Sequence, residues 1–207
     1  YDSTGATGRK ILTFKKDENR ERRERLRFEL ERLIVAGDLY AQGALFQVKA
    51  AGPQAVLEEA INYLVSNTYT KLNYLTPIAN AFTEIPAVLS ASSVQQLNLG
   101  NGTASNQLAL KEVGEYLNIK AGQHAVALED VVRHFSSTPY GWKPEWEIVL
   151  LVTRLFVAGE ISLMMDGTLL TPTTAQEPLT KAQKFKYVSV LKRKKTGALE
   201  LSQARTL

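Results

Sequence analysis

Apolar residues recur along this chain at two spacings, and the switches between them lay out its expected elements. In residues 17–36, Leu26, Leu30, Leu33 and Ile34 form one helical stripe. The charges around it pair at i,i+4: Glu18/Arg22, Glu21/Arg25, Arg25/Glu29 and Arg27/Glu31. Gly37 is placed to cap this helix, although the pattern could run on to Tyr40. Residues 11–14 suit a short strand and residues 44–49 alternate as another. Pro53, favourable in a first turn, opens a long helix to about Leu75. Val56, Leu57, Ala60, Ile61, Leu64, Val65 and Leu72 line its apolar face, and Pro77 stops it. Residues 78–93 are apolar around Pro86, which predicts two short helices or turns. The Gly/Asn-rich stretch 98–105 then divides the chain into two lobes.

The second lobe reads as helices over 106–117, 128–135 and 142–158. The last of these stops at Gly159, a C-capping glycine. Residues 161–165 and 168–171 form a hairpin around Asp166-Gly167, a favoured two-residue turn. Helix, turn (Pro139-Tyr140-Gly141-Trp142), helix and two-stranded wing describe a winged helix. The expected fold is therefore α+β and predominantly helical, with a helical lobe followed by a winged-helix-like lobe. Its divisions are a linker or frayed segment over 1–16, a helical lobe with a short strand or hairpin over 17–98, a winged-helix-like domain over 105–180, and a basic C-terminal segment over 181–207. Residues 185–191 alternate like a strand or begin a terminal helix.

Composition narrows the setting. The 207 residues are 44% hydrophobic and 22% charged, enough for a real core. There is no cysteine, so disulfides and thiolate metal sites are excluded, as suits a reducing cytoplasm. No apolar run reaches the ~20 residues of a membrane helix. The chain opens at Tyr1, without Met, so a piece of a longer polypeptide is expected. Residues 181–207 hold eight basic residues, Lys181, Lys184, Lys186, Lys192, Arg193, Lys194, Lys195 and Arg205, against Glu200 alone. The net charge of +4 thus divides into a mildly acidic body and a basic end. The basic residues could track phosphates or simply be solvated.

Catalytic chemistry is hard to find. The text nearest a phosphate loop, Gly5-Ala6-Thr7-Gly8-Arg9-Lys10, has the wrong spacing and no strand before it. His124 and His134 lack ligand-spaced partners, so no metal site is expected. His134 sits late in its helix, where a cation suits the dipole. The sequon at Asn101 means nothing in a cytosolic protein. No nucleophile–base pair follows from spacing, so intrinsic enzymatic activity is not expected and no cofactor is assigned. Converging polar residues with shifted pKa values would revive an enzyme reading.

The second helix of the winged helix works against DNA reading. It presents Glu145, Glu147, Thr153 and Arg154 among apolar residues, so it should be buried on several sides. Its early acids would repel phosphates, and the Asp166-Gly167-Thr168 tip carries no base. Tyr140 and Trp142 admit two readings: an exposed aromatic anchor for a partner, or a packed corner between helices.

Two segments together, Glu58 to Leu75 and Pro139-Tyr140-Gly141-Trp142 followed by Leu151 to Leu163, resemble the large P-loop ATPase of bacterial BREX phage-defence systems (BrxC) and its relative PglY. Residues 32–49 fit the same order, and the resemblance extends over about 20–190. It implies an internal or C-terminal non-ATPase piece of an antiviral protein. ATP and Mg²⁺ would belong to the missing ATPase region. The implied role is a non-catalytic, cytoplasmic module docking other defence proteins or parent-chain domains, with no membrane partner. The alternative is a DNA-binding winged helix whose basic end contacts phosphates.

Overall fold

The computed structural model describes residues 5–41, 43–78, 80–90, 106–121 and 124–193. The chain divides into two compact units, Tyr1–Asn67 and Thr68–Leu207. The 98–105 stretch, expected to divide two lobes, lies outside the described residues.

In the first unit, helix α1 runs over Ala6–Ala36. Residues 6–16, read as a linker with a short strand at 11–14, are its opening turns. Ala6, Arg9, Lys10, Leu12, Lys15 and Lys16 favour helix, and nothing before Asp17 terminates it. The expected Glu18–Arg22 and Arg27–Glu31 pairs form on its surface. Strands β1 (Leu39–Ala41) and β2 (Ala44–Phe46) make an antiparallel hairpin, pairing Leu39 with Phe46. Helix α2 spans Pro53–Thr68. Its Glu59 carboxylate accepts from the backbone N–H of Lys49 at 3.1 Å and of Ala50 at 2.8 Å. Tyr63 packs on Phe46, with ring centroids 4.4 Å apart. α2 stops short of Leu75 because its end is rich in residues that compete with helix: the Asn67 side chain bonds back to the Tyr63 carbonyl. A 3-10 turn at Leu72–Tyr74 follows.

In the second unit, α3 (Ala81–Ser90) runs unbroken through Pro86, where a division was expected, and residues 91–93 of that expectation lie outside the described residues. Pro86 lies inside it; burial of Ala81, Ile85, Val88 and Leu89 on one face outweighs the missing N–H. Then come α4 (Gln107–Lys120), β3 (Val126–Ala127), α5 (Leu128–Ser136), α6 (Glu145–Val157), β4 (Ile161–Met165) and β5 (Thr168–Leu169). The chain closes with α7 (Pro172–Thr180), a 3-10 segment (Ala182–Tyr187) and β6 (Val188–Lys192). Asp166 and Gly167 both take positive φ, 50° and 76°, as the Asp-Gly turn demands.

The sheet order is β3-β6-β4-β5. The strand between β3 and β4 is therefore β6, and the short β5 stays at the edge. Thr171-Pro172 ends β5: Pro172 begins α7, capped by the Thr171–Thr174 box. Val188 and Val190 are fully buried, so this alternation seats β6 on the core face along the whole of β4. Of the segment beginning at Lys181, read as a basic end, Ala182–Tyr187 is a 3-10 segment and Val188–Lys192 belongs to the sheet.

Candidate functional site

In a DNA-reading winged helix the second helix of the pair enters the major groove. The equivalent here is α6, and it is buried without a break from Glu147 to Leu155. α3, α4, α5 and α7 all pack against it, and α3 and α7 also touch each other. Phe82 and Phe185 lie edge-on to Trp146, at 4.8 and 5.6 Å between centroids. The sequence reading of an all-round apolar helix anticipated burial on several sides; the excursion from β5 to β6 supplies one of the covers.

Two of the buried polar side chains in this layer find backbone partners. Glu147 accepts a short hydrogen bond from the Ile78 N–H, and Thr153 Oγ1 donates to the Val149 carbonyl at 2.7 Å. Burial pushes the Glu147 carboxyl above its ordinary value, against the pull of the Ile78 bond and of Arg154. Burial likewise lowers the Arg154 pKa, opposed by Glu84 and Glu147. Arg154 Nε is buried with no hydrogen-bond partner. Beside it, an open cleft of about 380 Å³ is lined by Lys111, Glu115, Asn118 and Glu160 among others. Its mixed charges give no single-sign attraction for phosphate.

Tyr140 and Trp142 build the packed corner. Trp142 is fully buried and Tyr140 is 7% exposed, so they are not an exposed docking anchor. The Trp142 ring stacks on Phe135 at 4.9 Å and 8°. Its indole N–H donates to the Lys71 carbonyl at 3.0 Å, while the Lys71 N–H donates to the Pro139 carbonyl at 3.1 Å. Tyr140 Oη donates to Glu112 at 2.9 Å, and Lys71 Nζ reaches the same carboxylate oxygen at 2.6 Å. Burial raises the Glu112 pKa, but the Lys71 and Tyr140 bonds prevail and hold it below its ordinary value. Sequence reasoning missed Lys71 and Glu112, and named Glu147 and Arg154 only as polar positions of an apolar helix. Glu147 and Arg154 did leave a trace: two charges seven residues apart on one face of an apolar helix.

The described basic residues of the 181–207 segment do not share one patch. Lys181 and Lys184 both grip Glu177, at 2.7 and 3.0 Å, and hold its pKa down to about 2. Lys186 lies over the Tyr187 ring at 4.8 Å. Lys192 ends β6 opposite Ile161, at the end of β4 away from the Asp166-Gly167 turn. Arg193 extends over Gly159, its guanidinium occupying the space a Cβ there would need. Lys194 and Lys195 lie outside the described residues. His134 stacks on Tyr116 at 4.2 Å, and burial, then Lys120 and Lys71, lower its pKa. Among the described residues, no cluster of His, Cys, Asp or Glu could hold a metal, and no helix is long and apolar enough to cross a membrane.

The family model for the winged helix-turn-helix domain of the BREX ATP-binding protein BrxC matches residues 71–194. The chain belongs to the BrxC family. A second BrxC model, the fourth domain with a six-stranded β-sheet, matches residues 2–64. The two matches flank the division between the compact units, and both are non-ATPase regions of BrxC. No solved structure matches the chain. The resemblance carried by Glu58–Leu75 and by the turn and helix after Pro139 thus placed the chain in the BrxC family.

Proposed function

We propose that this part of BrxC is a non-catalytic interaction module, docking other domains of its parent chain or other BREX proteins in the cytoplasm. The observation that carries this reading is the enclosure of α6. A helix covered by α3, α4, α5 and α7 has no free face for a major groove. The dispersal of the described basic residues, with Lys181 and Lys184 committed to Glu177, also speaks against a phosphate-gripping patch. ATP and Mg²⁺ would serve the ATPase region elsewhere in the protein.

Two measurements test this together. The chain is mixed with the remainder of BrxC, and with other BREX proteins singly, and complexes are sought by co-elution. A labelled DNA duplex is titrated at two salt concentrations with the chain and with K192A/R193A/K194A/K195A. A protein complex without duplex binding is the expected result. Duplex binding that falls steeply with salt and disappears in the fourfold variant would instead assign phosphate contacts to the basic end.

A further inference from the structure

The first unit has helices but almost no core. Among its described residues only Ala41 and Val56 are buried hydrophobics. Helix α1 carries Leu26, Leu30 and Leu33 at i, i+4 and i+7, exposed by 62%, 57% and 58%. Helix α2 repeats the spacing with Leu57, Ile61 and Leu64, exposed by 41%, 57% and 41%. Stripes at this spacing are faces that water penalises until something covers them.

The hairpin indicates what that cover is. β1 and β2 have three residues each and pair only with each other among the described residues, so each leaves one edge of backbone groups without a ladder. A lone hairpin is marginal, and a helix becomes stable on a sheet once the sheet is wide enough to receive its stripe. The matching family domain has a six-stranded sheet, whereas residues 2–64 here show two strands among those described.

We infer that the apolar stripes of α1 and α2 are the seat of the other strands of this sheet, an apolar β-face supplied by the same BrxC polypeptide and continuous with the hairpin. A second copy of the chain could cover the stripes helix to helix. It would leave the hairpin edges unpaired and the sheet at two strands, so the strand-bearing partner fits both observations. This inference does not depend on the function proposed for the winged helix.

Amide hydrogen exchange of the 207-residue chain and of full-length BrxC tests it. Residues 26–34 and 57–65 should exchange fast in the chain and at least about 100-fold slower in the full-length protein, because covering a face raises its opening free energy. Leu30→Asp and Ile61→Asp should each remove that protection in full-length BrxC, while Leu30→Met keeps it. Both Asp variants should leave the circular dichroism of the 207-residue chain unchanged, since the sites are exposed there. Equal protection in both proteins would overturn the inference, as would equally fast exchange in both. Protection that rises with chain concentration alongside dimer formation would assign the face to a second copy and overturn it too.

Discussion

The indole N–H of Trp142 donates to the backbone carbonyl of Lys71 across 3.0 Å, tying the turn ahead of α6 to the segment ahead of α3. The Lys71 N–H returns a bond to Pro139, and its ammonium meets Glu112, which also receives the Tyr140 hydroxyl. Lys71 thus fixes the corner through backbone and side chain together. Trp142→Ala should destabilise the protein by about 3–5 kcal/mol, as for other buried aromatic truncations. Trp142→Phe retains most of the packing and removes only the indole donor, leaving the Lys71 carbonyl its bond from the Tyr74 N–H, so it should cost about 0.5–1.5 kcal/mol. Urea unfolding followed by circular dichroism reads both, and equal losses would contradict a separate role for the hydrogen bond.

The Glu112 carboxyl is held below its ordinary value of 4.5, so folding favours its ionised form. Its contribution is present above that value and is lost as pH falls through the lower folded pKa. His134 acts in the same direction: burial depresses its pKa from 6.5, so acid must charge a half-buried ring. Glu112→Gln should therefore cost about 1–3 kcal/mol at pH 7 and progressively less as pH falls below 4.5. A pH series of unfolding midpoints checks this; a penalty independent of pH would rule out the ionic contribution.

Gly141 has φ +65°, and a Cβ there would stand 2.5 Å from the Tyr69 ring. Gly167 has φ +76° with open space around it. Gly167→Ala should cost about 1–2 kcal/mol from the left-handed backbone alone. Gly141→Ala should cost more, and Tyr69→Ala in the same chain should recover part of the excess. A strictly additive double variant would show that the clash is not the cause.

Arg154 offsets charge on Glu147 in a layer that disfavours both ions. Arg154→Met should raise the Glu147 pKa further and lower stability at pH 7 more than in acid, where the Glu147 carboxyl is neutral. Adding Glu147→Gln keeps an acceptor for the Ile78 N–H and should restore most of the loss. A thermal-unfolding cycle with no coupling between the two sites would contradict an electrostatic influence of one on the other.

Glu177 occupies Lys181 and Lys184 together. Should the basic residues touch phosphates at all, Glu177→Gln would free two cations and strengthen duplex binding at low salt, with a steeper salt slope. No duplex binding by either protein is the expected outcome for a docking module.

Much of the architecture was legible in the sequence because it rests on local rules. The period of Leu128–Ser136, the Asp166-Gly167 turn, the glycine after α6 and the alternation of Ile161–Met165 each specify a local conformation by sterics and hydrophobic patterning. The all-round apolar character of α6 announced its burial, and the paired segments around Glu58–Leu75 and Pro139–Leu163 announced the family. Tertiary structure alone decided which strand completes the sheet and what encloses α6. Residues 185–191 satisfy a strand or a helix start equally well by pattern; β6 forms where Val188 and Val190 find a core beside β4. The same holds for the Lys71–Glu112–Tyr140 cluster, whose members lie up to 69 residues apart, as Lys71 and Tyr140 do. Side chains that far apart carry no mutual signal in a single sequence, because only chain folding brings them within hydrogen-bonding reach.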